Sequence, residues 1–182
     1  MKIIGISGSL RHDSFNTKLL TAAGQQLPET TDFRILSCDL PLYNQELEGD
    51  ALPDSVAAFK TAIADADGLL ISSPEYNHSF SGVIKNAIDW ASRPAFESPL
   101  KHKPVALLSA SPSPIGGARA QLQLRSVLAS TLSVQYPAID FVLPSAMNAF
   151  DDQGQLADET ALKRLHRFAN GFIDWIQDES IS

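Results

Sequence analysis

KIIGISGSLRHDSFN, residues 2–16, joins a short apolar run to a polar, glycine-containing loop. The run Lys2–Ser7 is rich in isoleucine and ends on small polar residues, as a strand buried on both faces of a parallel sheet does. Gly68–Ser72 and Val105–Ser109 have the same character. Asp32–Ser37 and Val134–Leu143 are two further candidate strands, the second broken by Pro137.

Helical patterns fall between the strands, over Asn16–Leu27, Asp54–Ala66, Val83–Ser92 and Ala118–Thr131. The clearest helix comes last: Leu162, Leu165, Phe168, Ala169, Phe172, Ile173 and Ile176 form one apolar stripe behind an Asp158 N-cap. That stripe reads as core packing. Alternation of strand and helix predicts an α/β fold, with a parallel sheet, right-handed crossovers and helices on both faces. Ligands then bind outside the carboxyl ends of the strands, so function belongs in the loops after the first, third and fourth strands.

Composition narrows the function classes. With 182 residues, 44% apolar and 19% charged, the chain is expected to form one soluble domain over 1–182. A net charge of -7 argues against nucleic acid or an anionic membrane as partner. Cys38 is the single cysteine, so no intrachain disulfide forms, and scattered His12, His78, His102 and His166 lack metal-ligand spacing. No metal site is expected. The N-terminal apolar run is too short for a secretory signal, and nothing approaches the ~20 apolar residues of a membrane span, so a cytoplasmic location is expected.

The first loop, Gly8–Asn16, gathers two hydroxyls, an amide and a guanidinium where a helix N-terminus points its free N–H groups. It reads as a phosphate cradle or as a serine-rich turn capping a helix. It lacks the Gly-Lys-Ser/Thr ending of a Walker A loop and the three spaced glycines of a dinucleotide fingerprint. The second loop, Pro74–Gly82, is too polar for core yet holds Tyr76 and Phe80; it suits a planar ligand or simply covers the sheet end. The third, Ser111–Gly117, places Gly116 and Gly117 before a helix, for close backbone approach or as a turn stiffened by two prolines.

Together the segments GSLRHDSFN (8–16), PEYNHSFSGVIKNAIDWASR (74–93) and SPSPIGGARAQLQLR (111–125) resemble the NADPH-dependent FMN reductase family, in its quinone and chromate reductase branch. The resemblance implies a flavodoxin-like three-layer sandwich with a five-stranded parallel sheet of order 2-1-3-4-5. It implies that Ser9, Arg11, Ser14, Phe15 and Asn16 bind FMN around its phosphate. Pro74, Glu75, Tyr76 and Asn77 would run along the ribityl chain and isoalloxazine, and Ser111, Gly116 and Gly117 would line the pyrimidine end. Ser81 departs from the proline usual before Gly82, and Pro112 and Pro114 replace less rigid residues.

The implied activity is two-electron transfer from NADPH or NADH through bound FMN to a small acceptor such as a quinone. The flavin supplies the redox chemistry, so no side chain is assigned as catalytic. The alternative is a flavodoxin-type electron carrier that does not oxidise NAD(P)H. Tyr43 and Asn44 are candidates for the pocket's edge. The resemblance also implies a homodimer or homotetramer.

Overall fold

Alternate residues of the central strands enter opposite cores. Ile3, Leu70, Ala106 and Leu108 belong to one cluster; Ile4, Ile6, Leu69, Ile71, Val105 and Leu107 belong to the other. Each face must therefore be covered by helices, and the period-2 geometry of a strand makes a continuous apolar run the natural sequence for that.

The structure, a computed structural model, describes residues 1–178. Its elements in chain order are β1 (Lys2–Ser7), α1 (Phe15–Gln26), β2 (Asp32–Leu36), α2 (Asp54–Ala64), β3 (Gly68–Ser72), β4 (Glu75–Tyr76), β5 (Ser79–Phe80), α3 (Gly82–Ala91), β6 (Pro104–Ala110), α4 (Ala118–Ser130), β7 (Val134–Gln135), β8 (Phe141–Leu143) and α5 (Glu159–Gln177). The main sheet runs β2-β1-β3-β6-β7, all pairs parallel, with β8 also paired to β6. Helices α1 and α5 supply one core, and α2, α3 and α4 the other. Asp158 caps α5 as expected, accepting from the Ala161 N–H at 2.7 Å.

The sheet departs from the expected five strands in two ways. The segment 134–143 splits: Val134 and Gln135 pair with Pro104 and Val105, whereas Phe141–Leu143 pair with Leu108–Ala110. Counted as one strand, the two pieces restore the order 2-1-3-4-5. Pro137 cannot donate to a ladder, and the bulge around it is gripped by Arg125. That guanidinium donates to Asp140 through Nε at 2.7 Å, to Gln135 Oε1 at 3.2 Å and to the Tyr136 carbonyl at 3.3 Å.

The second difference is the β4–β5 hairpin, which the sequence reading treats as an open loop. Its two-residue turn, Asn77-His78, has φ of 51° and 65°. Positive φ at both central residues is the type I′ pattern that matches strand twist. Asparagine and histidine tolerate it better than most residues.

Candidate functional site

At their carboxyl ends the three central strands carry serines instead of aliphatic residues, and each hydroxyl anchors a loop. Ser7, Ser72, Ser73 and Ser109 are all buried. The Ser7 and Thr17 hydroxyls pair at 2.8 Å. Ser73 Oγ donates to the Pro74 carbonyl and accepts the Ser81 N–H. Ser109 Oγ donates to the Gly116 carbonyl at 2.7 Å and accepts from Gln121 at the same distance.

Asn16 joins these strands. Its Nδ2 donates to the Ala110 carbonyl at 3.0 Å, while Oδ1 accepts from Ser72 Oγ and the Ala110 N–H. Only 3% exposed, the amide has both ends committed within the scaffold. What remains for a ligand is its backbone N–H and the second hydrogen of Nδ2. The Asn16 side chain thus has a structural role at the sheet end, within the lining of the cleft where the resemblance implies a contact to FMN.

The rest of the first loop is differently built. Ser14 is the N-cap of α1, its Oγ accepting the Thr17 N–H. The N–H groups of Leu10, His12, Asp13, Ser14, Phe15 and Asn16 have no hydrogen-bond partner among the described residues. Arg11 is exposed, donating through Nη2 to the Asp13 carbonyl at 3.2 Å. Asp13 instead pairs with Lys18, whose ammonium holds that carboxyl below the usual range. Arg11 thus keeps a guanidinium without a carboxylate partner beside a row of free N–H donors at a helix N-terminus. This donor set fits a phosphate.

The second and third loops lean on each other. Glu75 sends its carboxylate across to α4, accepting the N–H groups of Arg119 and Ala120 at 3.1 and 3.3 Å. Gly117, the N-cap residue, has no side chain to do this. Gln123, one turn on, donates to the His78 carbonyl and accepts from Ser79 Oγ at 2.6 Å. The hairpin is thereby strapped to α4 at two points, which sets the half-exposed Tyr76.

Within Ser111–Ala120 every backbone donor is used internally except the Gly117 N–H, among the described residues. Gly116 and Gly117 have φ of 67° and 97°, and a Cβ on Gly117 would come within 2.6 Å of Ser109 Cβ. Glycine is needed there for the turn and for the close approach.

One cleft receives all three loops. Ser9, Arg11, Ser14, Phe15 and Asn16 line it from the first, Pro74, Glu75 and Tyr76 from the second, and Ala110, Ser111 and Pro112 from the third. Of the predicted residues, Asn77, Gly116 and Gly117 lie outside this lining: Asn77 forms the hairpin turn and the glycines shape the third loop. Ser81 caps α3 by accepting the Ile84 N–H, and its own N–H goes to Ser73 Oγ, a bond proline could not make.

Tyr43 and Asn44 do not line the cleft. Tyr43 packs edge-on against Trp90 at 5.0 Å and donates its hydroxyl to Glu48 at 2.5 Å; Asn44 accepts the Glu46 N–H and caps a short turn. The second half of the signature segment explains why. Asn86 accepts the Tyr43 N–H at 2.8 Å, and both Asn86 Nδ2 and Trp90 Nε1 donate to the Pro41 carbonyl. These side chains clamp the loop after β2. Arg119 and Gln123, also outside the predicted set, carry a weak signal in sequence: an i,i+4 polar pair on a helix that starts without a capping side chain.

Residues 1–148 match the family described as NADPH-dependent FMN reductase. An NAD(P)H-dependent FMN reductase of Pseudomonas aeruginosa is 39% identical over 178 residues, covering 97% of this chain and 96% of that protein. A 2-hydroxy-1,4-benzoquinone reductase of a Burkholderia species is 40% identical over 182 residues, covering 100% and 99%. Among solved structures, FerB from Paracoccus denitrificans, a flavoenzyme NAD(P)H:(acceptor) oxidoreductase, superposes with a TM-score of 0.89 at 37% identity, covering 97% of each chain. With the sheet order, the three-loop cleft and the first-loop donors all in agreement, this chain belongs to the NADPH-dependent FMN reductase family.

Proposed function

We propose that this chain is an NAD(P)H-dependent FMN oxidoreductase that delivers two electrons to a quinone. The observation that carries the reading is the single cleft with anion donors at the first-loop end and no aromatic residue on its third-loop side. When bound, FMN supplies the capacity to accept a hydride from a nicotinamide and return two electrons to an acceptor.

The protein's part is binding and orientation. Ser9, Arg11, Ser14 and the free N–H groups of Leu10 and His12 to Asn16, with Phe15 at the rim, would hold the phosphate. Pro74, Glu75 and Tyr76 would bring one wall of the site along the ribityl chain and ring, Glu75 through its grip on α4 and Asn77 by forming the hairpin turn behind them. Ser111, Gly116 and Gly117 border the pyrimidine edge, where the free Gly117 N–H suits an oxygen gaining negative charge. An aromatic sandwich of the kind a flavodoxin carrier uses is not offered by Pro112, Pro114 and Ile115. The third loop would thus leave room beside a bound flavin for nicotinamide and acceptor in turn.

A quinone is favoured as acceptor because relatives of high coverage are named quinone reductases. Chromate is a further acceptor on this reading. The whole span 1–182 acts as one domain in the cytoplasm, as a homodimer or homotetramer. Exposed Phe96 and Leu132, which rim one groove beside α3 and α4, support assembly.

Steady-state oxidation of NADPH and of NADH by the FMN-loaded protein, with 1,4-benzoquinone as acceptor, tests the reading. Consumption of either donor that requires both FMN and quinone, with hydroquinone as product, is the expected result. A loaded protein that cycles with a chemical reductant but consumes neither donor is an electron carrier instead.

A further inference from the structure

Ser9 and Arg11 line two clefts, one on each side of the first loop. The second cleft, of about 370 Å³, lies between the carboxyl ends of β1 and β2, on the side away from Pro74 and Ser111. It opens at the carboxyl end of the sheet, where open α/β sheets bind their ligands, next to the switch point between β1 and β3.

Its walls carry complementary chemistry. Arg11 presents a guanidinium with no carboxylate partner among the described residues. The same cleft is lined by the exposed Asp39, three residues beyond β2, with no cation partner among the described residues and its backbone fixed by the Asp39 N–H to Ser37 Oγ bond of 3.2 Å. Leu10, more than half exposed, and Ile35 add apolar surface between them. A phosphate alone would not use the carboxylate, and a sugar alone would not use the guanidinium. A nucleoside 5′-phosphate uses everything: phosphate on Arg11, ribose diol on Asp39, base against the leucine and isoleucine.

We propose that this second cleft binds the adenosine 5′-phosphate portion of a dinucleotide, with Arg11 shared between it and the FMN phosphate. The inference rests on the reading that the first loop holds that FMN phosphate. Two dinucleotides carry the required group: FAD, whose adenylate continues from the flavin phosphate, and the nicotinamide donor. Asp39 and Ser37 are then specificity residues outside the flavin cleft.

Calorimetric titration of the FMN-loaded protein with AMP tests this directly, beside Ser37→Phe, which fills the cleft from an exposed position. AMP should bind, Ser37→Phe should weaken it by about tenfold or more, and FMN affinity should stay within about twofold. Asp39→Ala, at an exposed site, carries the same test if the phenylalanine disturbs β2. The source follows from two comparisons: selective loss of FAD over FMN identifies the flavin dinucleotide, and selective loss of NADH over reduced nicotinamide mononucleotide identifies the donor. AMP that does not bind a protein which holds FMN normally, or that binds wild type and variant alike, overturns the proposal. Failure of FMN itself to bind would instead count against the functional reading.

Discussion

Glu75 caps a helix that begins 43 residues later: its Oε2 accepts the Arg119 N–H at 3.1 Å while Oε1 receives Arg119 Nη1 at 3.2 Å. One carboxylate thus ties the second loop to the third. Removing it in Glu75→Ala is expected to cost about 1–2 kcal/mol, as loss of an N-cap does, and to lower Tm by about 2–8 °C in a chain of this size. Arg119→Ala keeps the cap and loses only a half-exposed ion pair, so its cost should stay below about 1 kcal/mol. Thermal unfolding of the two variants separates these contributions. Equal losses would mean that the ion pair, not the cap, holds the hairpin.

Asn16→Ala removes a buried amide and strands the Ala110 N–H and C=O, together with the Ser72 hydroxyl. Unsatisfied buried groups make this the most damaging of the polar substitutions, about 2–4 kcal/mol. Urea unfolding of the cofactor-free protein should show the full loss. A variant as stable as wild type would return the Asn16 side chain to a ligand-binding role.

Asn86 and Trp90 both donate to the Pro41 carbonyl, at 3.0 and 2.8 Å. Trp90→Phe leaves that carbonyl one donor and opens a gap at a fully buried position, so it should cost about 1–3 kcal/mol; Asn86→Ala also frees the Tyr43 N–H and should cost about 1–3 kcal/mol. Because the acceptor is shared, the double variant should lose more than the sum. Limited proteolysis should then cut within residues 38–52. Additive losses with an uncut loop would show that the clamp is not what fixes it.

Cys38 is 5% exposed, and burial pushes its thiol up from 9.0 to about 12. The folded state therefore keeps its proton where the unfolded state has lost it. That contribution is intact below 9.0 and disappears as pH rises towards about 12. Iodoacetamide at neutral pH should label Cys38 only after unfolding, and Cys38→Ser should change the alkaline fall in Tm. Rapid labelling of the native protein would show the thiol to be open to solvent.

Much of this architecture is legible in the sequence for simple reasons. The runs at Lys2–Ser7 and Gly68–Ser72 are apolar at every alternate position on both sides, so a doubly covered parallel strand is the only economical home for them. Asp158 and the stripe from Leu165 to Ile173 mark α5 equally well. The first-loop cradle is legible because its donors are local: serines, an arginine and a helix start lie within nine residues of one another.

Long-range polar partnerships are not legible. Nothing near Glu75 says that its carboxylate caps α4, and nothing near Asn16 says that its amide serves Ser72 and Ala110. Both residues look like ligand contacts because polar side chains in a binding loop and polar side chains that build the loop have the same composition. The β4–β5 hairpin is hidden for another reason, since Asn77-His78 adopts a type I′ turn without the usual glycine. Pro137 marks the break in the last strand, but the Arg125 grip that makes two strands of it comes from a different helix.

The most direct measurement compares FMN and riboflavin affinities in wild type and Arg11→Ala. Arg11 is exposed and its side chain makes one hydrogen bond, so the variant should fold normally. A charge-assisted contact of about 1.5–3 kcal/mol predicts a roughly ten- to hundredfold loss of FMN affinity, with riboflavin binding unchanged because it lacks the phosphate. Equal loss for both ligands, or loss for neither, would contradict the placement of the FMN phosphate in the Gly8–Asn16 loop.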